Sequence, residues 1–136
     1  MPAEWAPHRT CYTAWPAHDY AWGPALRDAQ REFSAFVAAW SADPAQEPLT
    51  ILVTAECLDE AQRALAAAPR VQLVPFAYGD IWFRDIAPLF LTGPGELANV
   101  RFRFNGWGGK FIYPNDDTVA ERLAAVRKGL HGLDRI

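Results

Sequence analysis

The 136-residue chain lacks the features that mark several large classes of protein. It has two cysteines, Cys11 and Cys57, too few for a disulfide framework and without the CxxC or HxxxH spacing of a zinc site. It has no run of lysine and arginine and a net charge of −3, which argues against a nucleic-acid groove and suits a small cationic ligand. No apolar run approaches the roughly 18 residues of a membrane helix. The start lacks the pattern of a signal peptide. We therefore expect a cytoplasmic protein with reduced thiols that binds neither nucleic acid, membrane nor metal.

What the chain does have is the composition of one folded domain, residues 1–136. It is 51% hydrophobic and 13% aromatic, and it is long enough to bury a core. Six tryptophans are many for this length, and several stand beside proline or glycine, where core packing alone rarely requires an indole. These segments are therefore the first places to look for a binding site.

Strands and helices alternate along the sequence. β-Branched and apolar runs predict strands at 10–16, 48–54 and 71–76, and apolar residues at three- and four-residue steps predict helices at 23–40 and 56–69. The remaining patterns predict an extended segment at 80–92, a turn at 92–96, a second hairpin strand at 98–104, a loop at 105–117 and a last helix with a capping box at Thr118 and Glu121. The pattern predicts a mixed α/β protein.

The stretch "DIWFRDIAP", residues 80–88, places charged groups in an otherwise apolar run. On a regular strand, Asp80, Trp82 and Arg84 would face one side and Asp85 the other, unless a bend brings the two carboxylates together. One interpretation is that Arg84 and Asp85 belong to a buried ion-pair network. The other is a recognition site for a planar cation, which a carboxylate binds in bidentate fashion while the indole stacks on it.

The stretch "FNGWGGK", residues 104–110, also permits two interpretations. Its glycines either make a turn or let the backbone approach a ligand closely, with Trp107 packing over that ligand. The order GxxxxGK[ST] of a phosphate loop is absent.

Cys57 offers a rival hypothesis, because a thiol in the first turn of a helix can act as a nucleophile. Glu56, Asp59 and Glu60 surround it with negative charge, which disfavours the thiolate. Cys11 lies among apolar neighbours in a predicted strand, as a buried structural thiol does.

Three segments in this order, "PAEWAPH…AWP", "DIWFRDIAP" and "FNGWGGK…NDD", resemble the agmatine deiminase family, which is related to the bacterial-type peptidyl-arginine deiminases. The resemblance covers roughly residues 2–126. It implies the N-terminal part of a pentein fold, a five-bladed α/β propeller. It also implies hydrolysis of agmatine to N-carbamoylputrescine and ammonia, without a metal or organic cofactor.

The resemblance also assigns roles to individual residues. Asp85 resembles the catalytic aspartate that binds the guanidinium group, and Trp82 resembles the tryptophan that lines the same pocket. Asp80 is expected to face the far amine of the substrate. Trp107 and Gly108 are expected near the pocket wall.

The family's nucleophilic cysteine, catalytic histidine and second carboxylate lie in a later segment, and neither Cys11 nor Cys57 matches the nucleophile. We therefore expect an N-terminal portion that is inactive alone and that self-associates or is completed by another chain. Two alternatives stay open. One is a peptidyl- or free-arginine deiminase, which would need a cationic partner for the carboxylate or peptide backbone of its substrate, such as Arg101, Arg103 or Lys110. The other is a non-catalytic remnant or binding subunit, which would need no deiminase chemistry.

Overall fold

The computed structural model describes residues 5–93 and 96–129, apart from the side chains of residues 96–97 and 126–129. These residues form two compact units. The first unit is Pro7–Phe83, and the second holds the remaining described residues. No helix among the described residues is long and apolar enough to cross a membrane.

The first unit is built on a three-stranded parallel sheet. Its strands are β1 (Cys11–Ala14), β2 (Leu49–Val53) and β3 (Val71–Pro75), in the order β1-β2-β3. The register pairs Cys11 with Leu49 and Leu49 with Val71. All five residues of the central strand β2 are buried, which explains its continuous apolar sequence. All three predicted strands are therefore confirmed.

The helices of the first unit follow the strands. They are α1 (Asp19–Trp22), α2 (Leu26–Ala42) and α3 (Leu58–Ala64), with 3₁₀ turns at Gly23–Ala25 and Ala55–Cys57 before the last two. In the core, alternate residues of β2 pack with residues of α2 and α3. Its buried members are Trp15, Val37, Leu49, Ile51, Val53, Ala61 and Leu65. Trp15, at 1% exposure, is thus a core residue.

The second unit contains a hairpin and a last helix, as predicted. A single turn, α4 (Phe83–Ile86), joins the two units, and β4 (Leu89–Gly93) pairs antiparallel with β5 (Glu96–Val100). A further turn, α5 (Gly106–Gly109), and a 3₁₀ turn at Asp116–Thr118 precede α6 (Val119–Gly129). The Thr118 hydroxyl donates to the Asn115 carbonyl at 2.9 Å and accepts from Arg122 Nε at 3.1 Å.

The prediction that residues 80–92 are extended throughout is wrong for the first half. Residues 79–82 bend, α4 follows, and β4 begins only at Leu89. Phe83 and Ile86 are buried at a spacing of three residues, which is helical, and Arg84 and Asp85 between them are exposed.

The second hairpin strand also ends earlier than predicted. β5 stops at Val100, and residues 101–105 have no regular structure. Arg101, Phe102 and Arg103 are all exposed, so no buried face sustains the alternation in the sequence.

Candidate functional site

Asp80 lies just beyond β3, at the edge of the sheet where the carboxyl ends of the parallel strands meet. Ligands of open parallel sheets bind at that edge. The segment after β1 reaches the same place, because His18 Nε2 donates to the Tyr78 carbonyl at 2.8 Å. The hydroxyl of Tyr20 donates to the Gly79 carbonyl at 3.2 Å. Both contacts fall on the two residues that immediately precede Asp80.

The Asp80 carboxylate is only partly accessible to water. Burial raises its pKa, while a hydrogen bond from the Ile81 amide to Oδ1 at 2.7 Å and the nearby His18 ring act in the opposite direction. Desolvation prevails, so the ionised form is less well stabilised than in water. A carboxylate whose pKa is perturbed at the ligand-binding edge of a sheet is a candidate for cation binding.

Trp82 follows Asp80 in the same loop and is 60% exposed. Its neighbour Phe83 is 6% exposed, and the Phe83 ring meets Tyr78 edge-on with centroids 5.7 Å apart. The loop is therefore anchored by Phe83 while the indole is left accessible. An accessible indole beside a carboxylate can stack on a planar cation.

Asp85 and Arg84 lie in α4, and both are exposed. The interpretation that they belong to a buried ion-pair network is therefore wrong. An exposed carboxylate on a short helical turn can accept two parallel N–H bonds from a guanidinium group.

Trp107 and Gly108 lie in the turn α5, where four consecutive residues have positive φ. The values are 66° at Gly106, 53° at Trp107, 78° at Gly108 and 80° at Gly109. The Asn105 side chain secures the turn by accepting from the Gly108 amide at 3.0 Å. Glycine adopts this conformation easily, whereas a tryptophan held there is strained, and such strain is often found at functional sites.

The Trp107 ring is held edge-on by aromatic neighbours. Its centroid lies 4.9 Å from that of Phe104 and 6.1 Å from that of Phe111, and the side chain is 41% exposed. A Cβ added at Gly108 would meet nothing within 4 Å, so the positive φ alone accounts for the glycine. The positive φ is what the turn interpretation requires, and the open space beside Gly108 is what close approach of a ligand requires.

The structure places the predicted site residues in both units. Asp80 and Trp82 share one loop of the first unit. Trp107 and Gly108 share one turn of the second unit, and Asp85 also belongs to the second unit. That all five line one pocket stays a prediction. Among the described residues, no group of three or more His, Cys, Asp or Glu could hold a metal ion.

The two cysteines lie in the first unit, and neither has the surroundings of an activated thiol. Burial and the nearby Glu47 carboxylate raise the pKa of Cys11. The Cys57 Sγ faces the Ala17 carbonyl at 4.0 Å, and the side chain packs partly buried against the core.

Comparison with known proteins decides the family. The sequence-family model of the Porphyromonas-type peptidyl-arginine deiminases matches residues 1–133. The chain belongs to this family. The agmatine deiminase of Stutzerimonas stutzeri is 36% identical over 132 residues, which are 93% of this chain and 35% of that protein. The agmatine deiminase of Pseudomonas aeruginosa strain LESB58 is 31% identical over 134 residues, 94% of this chain and 35% of that protein.

The fold of these deiminases agrees with the described structure. The agmatine deiminase of Enterococcus faecalis superposes with a TM-score of 0.80 at 26% identity, over 94% of this chain and 35% of that one. The predicted fold, the N-terminal part of a pentein-type α/β protein, is thus confirmed. The chain spans about 35% of the length of the curated deiminases it matches.

His18 and Tyr20 contact the backbone just before Asp80, and the sequence prediction missed both residues. Their contacts to Tyr78 and Gly79 span about 60 residues of sequence and depend on the order of the strands. The available signal was a pair of polar aromatic residues just after a predicted parallel strand, in "WPAHDY".

Proposed function

We propose that the chain carries part of the substrate site of an amidine hydrolase that acts on agmatine and yields N-carbamoylputrescine and ammonia. The observation that carries the proposal is the accessibility of Asp85 and Trp82 within the motif "DIWFRDIAP". A carboxylate and an indole held on a bent, anchored segment suit a planar guanidinium. The membership of the deiminase family supports the same chemistry.

In this proposal the residues act on different parts of the substrate. Asp85 accepts two N–H bonds from the guanidinium and stabilises its charge while the central carbon is attacked. Trp82 stacks on the guanidinium plane. Asp80 receives the ammonium group at the other end of agmatine. Trp107 and Gly108 form part of the pocket wall.

The reaction itself requires a thiolate that attacks the guanidinium carbon, after which ammonia leaves and water resolves the thioether. We propose that neither Cys11 nor Cys57 supplies it. The raised pKa of Cys11 disfavours its thiolate, and Cys57 packs against the core. The 136-residue chain is therefore expected to bind substrate without turning it over.

Agmatine is favoured over arginine by the charge of Asp80. Free arginine carries a carboxylate beside its amine, and a second carboxylate close to Asp80 would be repelled. Arg101, Arg103 and Lys110 are exposed and could offset that charge in an arginine or peptide complex. Comparing the affinities of the chain for agmatine and for arginine therefore distinguishes the two possible substrates.

The test is calorimetric titration of the chain with agmatine and with arginine. We expect agmatine to bind more tightly, and Asp85→Asn to weaken agmatine binding at least about tenfold, the loss of a charge-assisted bidentate pair. The control is Asp59→Asn, an exposed change of the same charge on α3. Equal binding by Asp85→Asn and by the unmodified chain would contradict the role of Asp85.

Ammonia release from agmatine tests the nucleophile separately. We expect no release above the blank. Release that disappears in Cys57→Ser or Cys11→Ser would show that one of these thiols is the nucleophile.

A further inference from the structure

Three side-chain hydrogen bonds fasten the segment after β3 to the segment after β1. His18 Nε2 and the Tyr20 hydroxyl donate to the consecutive carbonyls of Tyr78 and Gly79. The Tyr78 hydroxyl donates back to the Trp15 carbonyl at 2.6 Å and is buried. The His18 and Tyr20 rings are stacked with centroids 4.7 Å apart and an interplanar angle of 11°. The two donors therefore support each other as a pair.

These bonds fix the backbone immediately before Asp80. The Asp80 carboxylate is bonded through Oδ1 to the amide of the next residue, Ile81, so its direction follows the backbone. A carbonyl oxygen can only accept, so His18 Nε2 carries a hydrogen in this contact whether the ring is neutral or cationic.

We propose that His18 and Tyr20 are positioning residues that hold the Asp80 carboxylate as the receptor for the ammonium end of a guanidine substrate. The inference rests on the proposed function, and it adds two residues that act through the backbone at 78–79. A pair of hydrogen bonds to the consecutive carbonyls of Tyr78 and Gly79 restricts both the position and the orientation of the next residue, Asp80. The partly desolvated Asp80 carboxylate gains electrostatic interaction energy from a cation only if it is held within reach of that cation.

Selectivity between two ligands isolates this role. Agmatine and butylguanidine share the guanidinium and the four-carbon chain, but butylguanidine lacks the amine. We expect the chain to prefer agmatine about tenfold or more, and Asp80→Asn to abolish the preference. Tyr20→Phe and His18→Leu should each reduce the preference several-fold while butylguanidine binds as before. His18→Gln, which keeps a donor near Nε2, should restore part of it, and His8→Leu is the control.

An equal loss of affinity for both ligands, or no loss for either, would overturn the positioning role. Failure of the proposed function looks different, because then the unmodified chain binds neither ligand.

If the unmodified chain binds neither ligand, carboxyl ¹³C NMR of the ligand-free chain still tests the inference. His18→Leu should raise the pKa of Asp80 further, because the ring that lowers it is gone. Tyr20→Phe should shift the amide resonances of Asp80 and Ile81. If these variants leave the pKa of Asp80 and the amide resonances of Asp80 and Ile81 unchanged, the inference is overturned without any ligand.

Discussion

At the scale of a single residue, Asp80 shows how a carboxylate that we propose binds substrate can oppose the stability of the fold. Its pKa is raised by burial, so the folded state holds the proton more tightly than the unfolded chain does. The stability that this group contributes is therefore fully present below the ordinary aspartate pKa of about 3.9 and is lost as the pH rises through the higher value of the folded state. At neutral pH we therefore expect the ionised carboxylate to oppose folding, as is common for charged groups at binding sites.

We therefore expect Asp80→Asn to raise the melting temperature at pH 7. The amide oxygen can still accept from the Ile81 N–H, so the turn is preserved while the desolvated charge is removed. The gain should shrink as the pH falls towards 3.5, where aspartate is largely protonated. Calorimetric melts across this range measure it, with Asp59→Asn as the exposed control. A variant that is less stable than the parent at pH 7 would refute the account of Asp80.

At the scale of elements, the turn α5 gives glycine two different reasons to be present. Gly106 has φ of +66°, and a Cβ there would collide with the Phe111 carbonyl and the Ile112 side chain. Gly108 has φ of +78° but open space around the same position. One glycine is thus required by conformation and packing, the other by conformation alone.

We expect Gly108→Ala to cost about 1 kcal/mol of unfolding free energy, the price of a left-handed alanine. Gly106→Ala should cost more than about 2 kcal/mol, because the backbone must also move. Urea denaturation of the two variants measures both values, and Gly93→Ala, at a glycine with ordinary φ and open surroundings, is the control. Equal losses at positions 106 and 108 would show that packing against Phe111 contributes nothing.

The elements that sequence could predict are those whose residues fit one pattern only. The helix at 26–42 repeats apolar residues at three- and four-residue steps, and the strands at 11–14, 49–53 and 71–75 are short runs rich in β-branched and apolar residues. Residues 80–88 fit two patterns, because the apolar residues Ile81, Phe83 and Ile86 suit a strand with a bend as well as a helical turn. The motif itself could be recognised, but its accessibility depends on which of its neighbours are buried.

Contacts between distant segments were beyond the sequence for a different reason. His18 and Tyr20 meet Tyr78 and Gly79 only because β1 and β3 flank β2 in one parallel sheet. Nothing local in "WPAHDY" specifies that order of strands. The residues expected to touch substrate could therefore be predicted by resemblance, whereas the two that we propose position Asp80 could not.

At the scale of the whole molecule, the two units have unequal cores. In the first, β2 is bonded on both sides and all five of its residues are buried, with Leu49, Ile51 and Val53 in the core cluster formed with α2 and α3. In the second, the described sheet has two strands, and Leu89, Thr92 and Val100 on it are exposed. A two-stranded hairpin is marginally stable without further packing. Backbone amides in such unequal surroundings should open with different free energies.

Hydrogen exchange of the native chain measures this difference. We expect the amides of β2 to exchange at least about tenfold more slowly than those of β4 and β5, after correction for intrinsic rates. Mild denaturant should then leave the hairpin rates nearly constant while those of β2 rise, because local opening exposes little surface. Identical protection and identical denaturant dependence in both units would mean that residues 1–136 unfold as one cooperative domain.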